Sequence, residues 1–276
     1  MNHNVQTKIA VINDFTGFGR CALAVSIPIL SVMKIQTCAI PTAILSNHTA
    51  FESYHIDDYT KHLPAYIDEW KKLDLKFNGI LSGYLGSEHQ VEIVENFIHD
   101  FRDEKTIVII DPVMGDDGKL YSSYNKNLCS RMKQLVKYAD ILTPNLTEAC
   151  ILTDTEYHGG KWSKKELGKL AGKLHAMGPD KIVITGIEQG QFVANLCFEK
   201  DKEIKFVKSH VVGTSRCGTG DVFSSIIAAD ALNGVDFQTS VKKASRFVKQ
   251  CILASIERQI PITDGVCFED LLHKLK

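Results

Sequence analysis

The chain lacks the local signatures of several common protein classes. None of its eight cysteines lies two or three residues from another, which excludes zinc-ribbon and redox-pair spacings. No block of lysine or arginine stands out and the formal net charge is −1, so the charge pattern gives no support for a nucleic-acid or anionic-membrane partner. The longest apolar runs fall far short of the roughly 20 residues that span a bilayer. The N-terminal segment is polar and unlike a signal peptide, so a cytoplasmic location is the default expectation.

Two common nucleotide-binding motifs are also missing. No Gly-Lys-Ser or Gly-Lys-Thr occurs, which excludes a P-loop. Gly17 to Ala22 superficially match a dinucleotide fingerprint, but that motif needs an acidic residue about 20 positions further on. Between Asp14 and Glu52 there is no aspartate or glutamate at all. We therefore interpret these glycines as a tight turn beside a ligand.

Strand-like and helix-like segments alternate along 276 residues, of which 44% are hydrophobic. Predicted strands cover residues 8–13, 37–42, 79–82, 106–110, 140–142 and 181–185, with a hairpin over 191–198 and 203–211. Predicted helices include residues 20–33, 57–73, 91–101, 219–232 and 237–257. This alternation predicts an α/β fold with a central, mainly parallel sheet covered by helices on both faces, in a single domain spanning residues 1–276.

Polar residues follow several of the predicted strands. Asn13 and Asp14 end the first strand, and Asp111, Asn145 and Gly186 end later ones. Ligands of parallel α/β sheets bind beyond the carboxyl ends of the strands. We therefore expect these positions to surround the ligand.

The most informative stretch is Gly218-Thr219-Gly220-Asp221, which opens an apolar helix. Free amides at a helix N-terminus attract anions, and glycines let the backbone approach a phosphate closely. A carboxylate there repels a phosphate, but it is well placed to accept a proton from a hydroxyl that attacks the phosphate. The stretch predicts phosphoryl transfer to an alcohol, and the alternative is an ordinary glycine loop with Asp221 stabilising the helix dipole.

Two further stretches carry carboxylates at predicted strand ends. Asp111 and Asp116 flank Pro112-Val113-Met114-Gly115, and the combination suits a magnesium–phosphate site, although such a segment is also a common turn. Glu148 follows Thr143-Pro144-Asn145 close to a helix start, where a simple capped helix is the alternative.

Five ordered blocks between about residue 46 and residue 221 resemble those of pyridoxal kinases, members of the ribokinase-like superfamily. They are Ser46-Asn47-His48-Thr49, Leu81 to Ser87, Asp111 to Gly115, Thr143-Pro144-Asn145 with Glu148, and Gly218 to Asp221. The resemblance implies a three-layer αβα fold of the ribokinase-like type. It also implies ATP-dependent phosphorylation of the 5′-hydroxymethyl group of pyridoxal, pyridoxamine or pyridoxine, usually by a homodimer.

The same resemblance implies roles for individual residues. Asp221 would be the catalytic base, with the amides of Gly218, Thr219 and Gly220 as an anion hole. Magnesium, and a monovalent cation as a further candidate, would accompany ATP near Asp111, Asp116 and Glu148. Contacts with ATP are expected from Asp116, Tyr124, Asn145, Glu148, Thr185 and Val211, with the loop Asp116–Tyr124 closing over it. Contacts with the substrate are expected from Asn13, Asp14, Asn47, Thr49, Tyr84 and Cys217.

The chain departs from the pyridoxal kinase pattern at the first strand end. Pyridoxal kinases commonly have Ser-His where this chain has Asn13-Asp14, and the following glycines look more like those of hydroxymethylpyrimidine kinases. A carboxylate at Asp14 could pair with a pyridinium or with the amine of pyridoxamine, which suggests tolerance or preference for pyridoxamine.

Two alternative functions and the role of one cysteine remain open from the sequence. One alternative is a hydroxymethylpyrimidine kinase, and the other is a non-catalytic pyridoxal-binding protein, although a binder needs no base. The cysteine is Cys217, whose thiol either adds reversibly to the aldehyde of pyridoxal or is a spectator.

Overall fold

The computed structural model describes residues 2–276, so Met1, at the start of the predicted domain, lies outside the described residues. The chain forms two compact units. The first unit consists of the residues up to Ile107 together with Val212–Lys276, and the second consists of Val108–Val211. That the whole chain is one domain stays a prediction.

In chain order the strands are β1 (Lys8–Phe18), β2 (Gln36–Asn47), β3 (Ile56–Asp58), β4 (Gly79–Ser82), β5 (Ile107–Ile110), β6 (Gly115–Asp116), β7 (Lys119–Leu120), β8 (Ile141–Leu142), β9 (Lys181–Gln189), β10 (Phe192–Glu199) and β11 (Lys205–His210). The α-helices are α1 (Ala22–Val32), α2 (Leu63–Lys72), α3 (Glu88–Phe101), α4 (Lys126–Leu135), α5 (Leu146–Leu152), α6 (Lys164–His175), α7 (Thr219–Leu232) and α8 (Phe237–Glu257). None of the helices among residues 2–276 has the length and apolar character needed to cross a membrane.

In the first unit the strand order is β4-β1-β2-β3. Strands β4, β1 and β2 are parallel, and β3 runs antiparallel to β2. The ladder between β1 and β4 ends at the pair Ile12 and Ser82, whereas β1 continues along β2 as far as Phe18. The prediction that Asn13 and Asp14 end the first strand is therefore wrong. They lie instead at a register shift in the pairing of β1 with β2, just after the β1–β4 ladder has ended. The side of β1 that faced β4 is therefore open to a ligand at these residues.

The predicted helix over residues 57–73 begins later than expected. Asp57 and Asp58 belong to β3, because pairing with β2 at Ala43 and Ile44 takes precedence over the local helical periodicity. Helix α2 starts at Leu63, and Pro64 occupies its first turn, where a missing N–H costs nothing.

The second unit has the strand order β11-β10-β9-β8-β5, with β5, β8 and β9 parallel and the hairpin β10–β11 antiparallel. Strand β9 continues past Gly186 to Gln189, so the prediction that Gly186 ends a strand is wrong; pairing with β10 extends the strand. Residues 115–120, which overlap the predicted loop Asp116–Tyr124, form the hairpin β6–β7. A Cβ on Gly115 would lie 2.2 Å from the carbonyl oxygen of Lys119, so only glycine allows this hairpin.

Helix α7 carries the Gly218–Asp221 stretch and has the predicted bounds. Val222, Ile226 and Ala228 are completely buried on it. Burying an aliphatic side chain of this size contributes about 1.5–3 kcal/mol, so the interior packing holds the first turn of α7 in a fixed place. Helix α8 packs against α7 and also has the predicted bounds.

Candidate active site

The turn before α7 is shaped for an anion. Gly218 is the N-cap residue and has a φ of 83°, a left-handed conformation that favours glycine. A Cβ on Gly218 would lie 2.0 Å from the carbonyl oxygen of Arg20, so the turn also needs glycine for close packing. A Cβ on Gly220 would meet nothing within 4 Å. The first turn of α7 therefore has open space beside its amides, as a phosphate requires.

Asp221 lies in this first turn, three residues after the N-cap. The side-chain amide of Asn13 donates a hydrogen bond to Asp221 Oδ1 over 3.1 Å. The carboxylate is half-buried and so remains accessible to a small molecule. An oriented, accessible carboxylate is what a base that acts on a bound hydroxyl must be.

Asn13 is itself held in place by the surrounding backbone. Its Oδ1 accepts hydrogen bonds from the backbone N–H of Tyr84 over 2.8 Å and of Asp14 over 3.0 Å. A Cβ on Gly83 would lie 2.5 Å from the Asn13 amide, so Gly83 makes the space for it. With its oxygen occupied by two donors, the amide of Asn13 must present its nitrogen to Asp221.

Asp14 lies half-buried next to Asn13 and accepts a hydrogen bond from Thr16 Oγ1 over 2.7 Å. Burial raises the pKa of this carboxyl, and the hydrogen bond from Thr16 partly opposes the rise. A buried carboxylate gains from a cationic partner. This setting suits the predicted contact with a pyridinium or an amine.

Cys217 forms a small cluster with Cys21 and His48. Hydrogen bonding from Cys21, and then from His48, lowers the pKa of the Cys217 thiol to about 5, against the opposing effect of burial. The Cys21 thiol donates this hydrogen bond to the Cys217 sulfur, and the same hydrogen bond raises the pKa of Cys21. The lowered pKa favours the thiolate of Cys217, which is the nucleophilic form.

His48 belongs to the site, although the sequence analysis assigned it no role of its own. The ring is buried, and Nε2 lies 2.7 Å from the carbonyl oxygen of Thr263. The hydrogen bond with Cys217 raises the pKa of His48. The sequence signal for a role of His48 was its position inside the Ser46–Thr49 block. Its proximity to Cys217 follows only from the tertiary structure.

The other predicted substrate residues of the first unit differ in how they are placed. Tyr84 is half-buried and tied through its backbone to Asn13. The Asn47 amide donates to the carbonyl oxygen of Ser53 over 2.8 Å, and its oxygen accepts from Ser46, so Asn47 shapes the 48–53 turn. Thr49 is exposed in that turn. Their contacts with a substrate stay predictions.

In the second unit, Asn145 and Glu148 form a reciprocal capping box at the start of α5. Asn145 Oδ1 accepts from the Glu148 N–H, and Glu148 Oε2 accepts from the Asn145 N–H over 2.8 Å. The other oxygen of Glu148 accepts from the Met114 N–H over 3.1 Å, and Asn145 Nδ2 donates to the Gly115 carbonyl oxygen. Asn145 and Glu148 therefore do cap a helix, as the alternative predicted. Their hydrogen bonds with Met114 and Gly115 also fix the segment that carries Asp116.

The charges around Glu148 still suit a divalent cation. Burial and, after it, the neighbouring Asp111 raise the pKa of Glu148 well above its usual range. The pKa of Asp116 is also raised, by burial and by the nearby Asp117 and Glu188. Such mutual repulsion between carboxylates is relieved by a cation, and magnesium prefers oxygen ligands. Within residues 2–276 no group of three histidine, cysteine or acidic residues is already arranged as a ligand set.

The remaining predicted ATP contacts also lie in the second unit. Thr185 bridges to Asn145, and its N–H and Oγ1 both donate to the Pro144 carbonyl oxygen. Tyr124 is buried, and Val211 is 49% exposed just after β11. The predicted loop Asp116–Tyr124 includes most of the β6–β7 hairpin, whose Gly118 N–H donates to Thr147. These side chains differ in solvent exposure, and their roles as ATP contacts stay predictions.

Comparison with known proteins defines the class to which this fold and site belong. The model of the phosphomethylpyrimidine kinase family matches residues 30–264. A candidate phosphomethylpyrimidine kinase of Bacteroides thetaiotaomicron is 36% identical, covers 100% of this chain and 96% of its own, and superposes with a TM-score of 0.96. A second crystal form of that protein, with pyridoxal, gives a TM-score of 0.94 at 35% identity over 98% of this chain and 96% of its own.

Curated relatives narrow the assignment. The pyridoxine/pyridoxal/pyridoxamine kinase of Bordetella avium is 30% identical over 250 residues, which cover 85% of this chain and 81% of that protein. The match spans less than two thirds of some other relatives, including 65% of an Arabidopsis thaliana pyridoxal kinase. Pyridoxal kinase from Leishmania donovani, solved with ADP and pyridoxamine, is 22% identical with a TM-score of 0.88 over 98% of this chain and 95% of its own, and shows the same fold.

The fold is thus the mainly parallel, helix-flanked αβα architecture that the sequence predicts. Its class is that of phosphotransferases with an alcohol acceptor, as the Gly218–Asp221 stretch predicts. The chain belongs to the phosphomethylpyrimidine kinase family and, within it, to the pyridoxal kinase group. The resemblance stated from the five sequence blocks is therefore confirmed.

Proposed function

We propose that this protein uses ATP to phosphorylate the 5′-hydroxymethyl group of a vitamin B6 compound. The observation that carries the proposal is the orientation of Asp221 by Asn13 beside the open first turn of α7. The Bordetella avium relative and the pyridoxal-bound Bacteroides thetaiotaomicron structure support the choice of substrate class.

Asp221 acts as a general base during phosphoryl transfer rather than before it. An alcohol has a pKa similar to that of water, about 15.7, whereas a carboxyl group has one of about 3.9. The difference of roughly 12 units corresponds to about 16 kcal/mol, so Asp221 cannot remove the proton in advance. It orients the hydroxyl and accepts its proton as the phosphorus–oxygen bond forms, while the amides of Gly218, Thr219 and Gly220 stabilise the phosphoryl oxygens.

The second unit supplies the residues for the nucleotide. Asp111, Asp116 and Glu148 would hold magnesium, directly or through water, and Asn145 and Thr185 would face the ATP phosphates. When bound, magnesium neutralises charge on the phosphates. A monovalent cation remains a further candidate in the same role. Tyr124, Val211 and the Asp116–Tyr124 loop complete the proposed ATP contacts.

Asp14, Tyr84, Asn47 and Thr49 would recognise the substrate in the first unit. The thiolate of Cys217 is suited to reversible addition to the aldehyde of pyridoxal, which forms a sulfur–carbon bond and leaves the carbonyl oxygen to take up a proton. This addition is available to pyridoxal only, because pyridoxamine and pyridoxine carry no aldehyde.

A homodimer is also part of the proposal. Phe15, Phe18, Ile44, Tyr54 and Ile56 are each more than 40% exposed on and beside β1, β2 and β3. A cluster of large exposed apolar side chains is typical of a protein contact, and a second copy of the chain would cover it. Light scattering of the wild type and Phe18→Ser would test this, since a wild-type monomer would contradict it. The cytoplasmic location likewise stays a prediction.

A substrate panel tests the proposed function directly. ADP release is measured with pyridoxal, pyridoxamine, pyridoxine and hydroxymethylpyrimidine as acceptors, and the phosphorylated product is identified by mass spectrometry. We expect the highest kcat/KM with one of the three vitamin B6 compounds. Preference for hydroxymethylpyrimidine would favour the thiamine-pathway kinase instead, and binding of pyridoxal without any ADP release would identify a non-catalytic binder.

A further inference from the structure

The segment 260–269, which follows α8, lies against three turns of the candidate site in the first unit. It includes the short 3₁₀ helix Ile262–Asp264. The Val266 N–H donates to the Cys217 carbonyl oxygen over 3.1 Å, and the Thr263 carbonyl oxygen contacts His48. Arg20, in the turn before α1, pairs with Glu269 and donates to the Asp264 carbonyl oxygen. The segment thus touches the turns that contain Arg20, His48 and Cys217.

Arg216 adds a buried link to this segment. Its side chain is buried, and Nη1 donates to the carbonyl oxygens of Ile260 over 2.9 Å and Pro261 over 2.8 Å. Within residues 2–276 no carboxylate forms an ion pair with this guanidinium, and its buried Nε has no hydrogen-bond partner. At its other end, the Arg216 carbonyl oxygen accepts from Thr219 Oγ1 at the start of α7. One residue therefore joins segment 260–269 to the anion-binding turn.

The backbone packs closely at two glycines beside this link. Gly265 has a φ of 77°, and a Cβ on it would lie 2.1 Å from the Gly19 carbonyl oxygen. A Cβ on Gly218 would likewise lie 2.0 Å from the Arg20 carbonyl oxygen. The Cys217–Gly218 turn is thus confined between the Gly19–Arg20 turn on one side and segment 260–269 on the other. Close-packed interiors transmit displacement, so a shift of the segment must move the turn.

We infer that Arg216 is a positioning residue for the phosphoryl-transfer step, which it supports by fixing the Cys217–Gly218 turn to segment 260–269. The inference rests on the proposed function, because it takes Asp221 as the base and the amides of Gly218–Gly220 as the anion hole. A misplacement of about 1 Å in such groups can cost roughly 100-fold in rate. Since Arg216 makes no direct contact in this role, its loss lowers kcat more than it weakens binding.

The test compares the kinetics of Arg216→Ala with those of two other variants. For Arg216→Ala we expect kcat to fall about 10- to 100-fold while both KM values stay within about threefold. Gly265→Ala leaves Arg216 intact but displaces the segment, and it should show the same split between kcat and KM. The matched control is Arg258→Ala, which breaks the exposed ion pair Arg258–Asp270 beside the segment without touching any of the three turns. Its kcat should stay within twofold of wild type.

Rates are expressed per folded molecule, with the folded fraction taken from near-UV circular dichroism, so that loss of fold is not counted as loss of kcat. A kcat within twofold of wild type in folded Arg216→Ala would overturn the inference. An equal loss in Arg258→Ala would also overturn it, because the effect would then be one of general stability. Failure of the wild type to phosphorylate any vitamin B6 compound would instead defeat the proposed function.

Discussion

The side-chain amide of Asn13 donates a hydrogen bond to the carboxylate of Asp221 over 3.1 Å, although the two residues are 208 positions apart in the chain. Asn13 cannot rotate its amide without losing the hydrogen bonds from the N–H groups of Asp14 and Tyr84. The Asp221 carboxylate is therefore held in a fixed orientation. This pair connects the end of the β1–β4 ladder to the start of α7.

Removal of the Asn13 amide should slow phosphoryl transfer. A hydrogen bond to a charged group is worth about 1.5–3 kcal/mol, which corresponds to roughly 10- to 100-fold in rate. We therefore expect Asn13→Ala to lower kcat by that factor, measured by coupled ADP release. Asn233→Ala is the matched control, because Asn233 at the other end of α7 donates to the Met33 carbonyl oxygen. Equal kcat values in the two variants would contradict the orienting role of Asn13.

Neutralisation of Asp221 should abolish most turnover and leave nucleotide binding intact. Loss of a general base typically costs about 10²- to 10⁴-fold in rate, and we expect Asp221→Asn to lose at least that much. Calorimetric titration with ATP should give an affinity close to that of the wild type. Asp236→Asn serves as control, since Asp236 caps α8 and asparagine also caps a helix well. Full activity of Asp221→Asn would remove Asp221 from the mechanism.

Asp14 should discriminate between the amine and the aldehyde forms of the substrate. We expect Asp14→Ala to reduce kcat/KM for pyridoxamine about tenfold more than for pyridoxal, as loss of a charged partner predicts. Burial raises the pKa of Asp14, so the carboxylate is lost earlier than usual as the pH falls. The wild-type ratio of pyridoxamine to pyridoxal activity should therefore decline as the pH falls, and that decline should be absent in Asp14→Ala. If Asp14→Ala had the same ratio of pyridoxamine to pyridoxal activity as the wild type, this assignment would be refuted.

Cys217 should react as a thiolate well below neutral pH. Hydrogen bonding from Cys21 lowers its pKa to about 5, so its alkylation by iodoacetamide should vary little above pH 6 and fall below pH 5. Cys38, which is also half-buried, is an internal control because burial raises its pKa, and its alkylation should increase with pH. Peptide mass spectrometry measures both. Protection of Cys217 by pyridoxal and not by pyridoxine would indicate the aldehyde adduct, and its absence would leave Cys217 a spectator.

The two capping boxes of the second unit offer a matched test of the magnesium site. Glu148→Gln keeps an oxygen for the capping box but removes the charge, and we expect a several-fold increase in the magnesium concentration for half-maximal activity. Glu166→Gln changes the equivalent position of the box at α6, where the side chain is exposed. It should leave the magnesium dependence unchanged. The same magnesium dependence in both variants would limit Glu148 to its structural role.

The parts of the structure that depend on near neighbours in the chain were predictable. The bounds of α7 and α8 follow from residues three or four positions apart. Some residues whose surroundings come from distant segments were predicted wrongly. Asp57 and Asp58 have helical periodicity in the sequence, but pairing with β2 makes them a strand.

The sequence by itself determined that a carboxylate follows a glycine turn at the start of an apolar helix, because capping, glycine conformation and helical periodicity are local properties. Only the tertiary structure decided that Asn13 orients this carboxylate, that Cys21 and His48 lower the pKa of Cys217, and that Arg216 links the turn to segment 260–269. These contacts join residues dozens to hundreds of positions apart. Their geometry comes from the packing of sheet and helices, which no short stretch of sequence records.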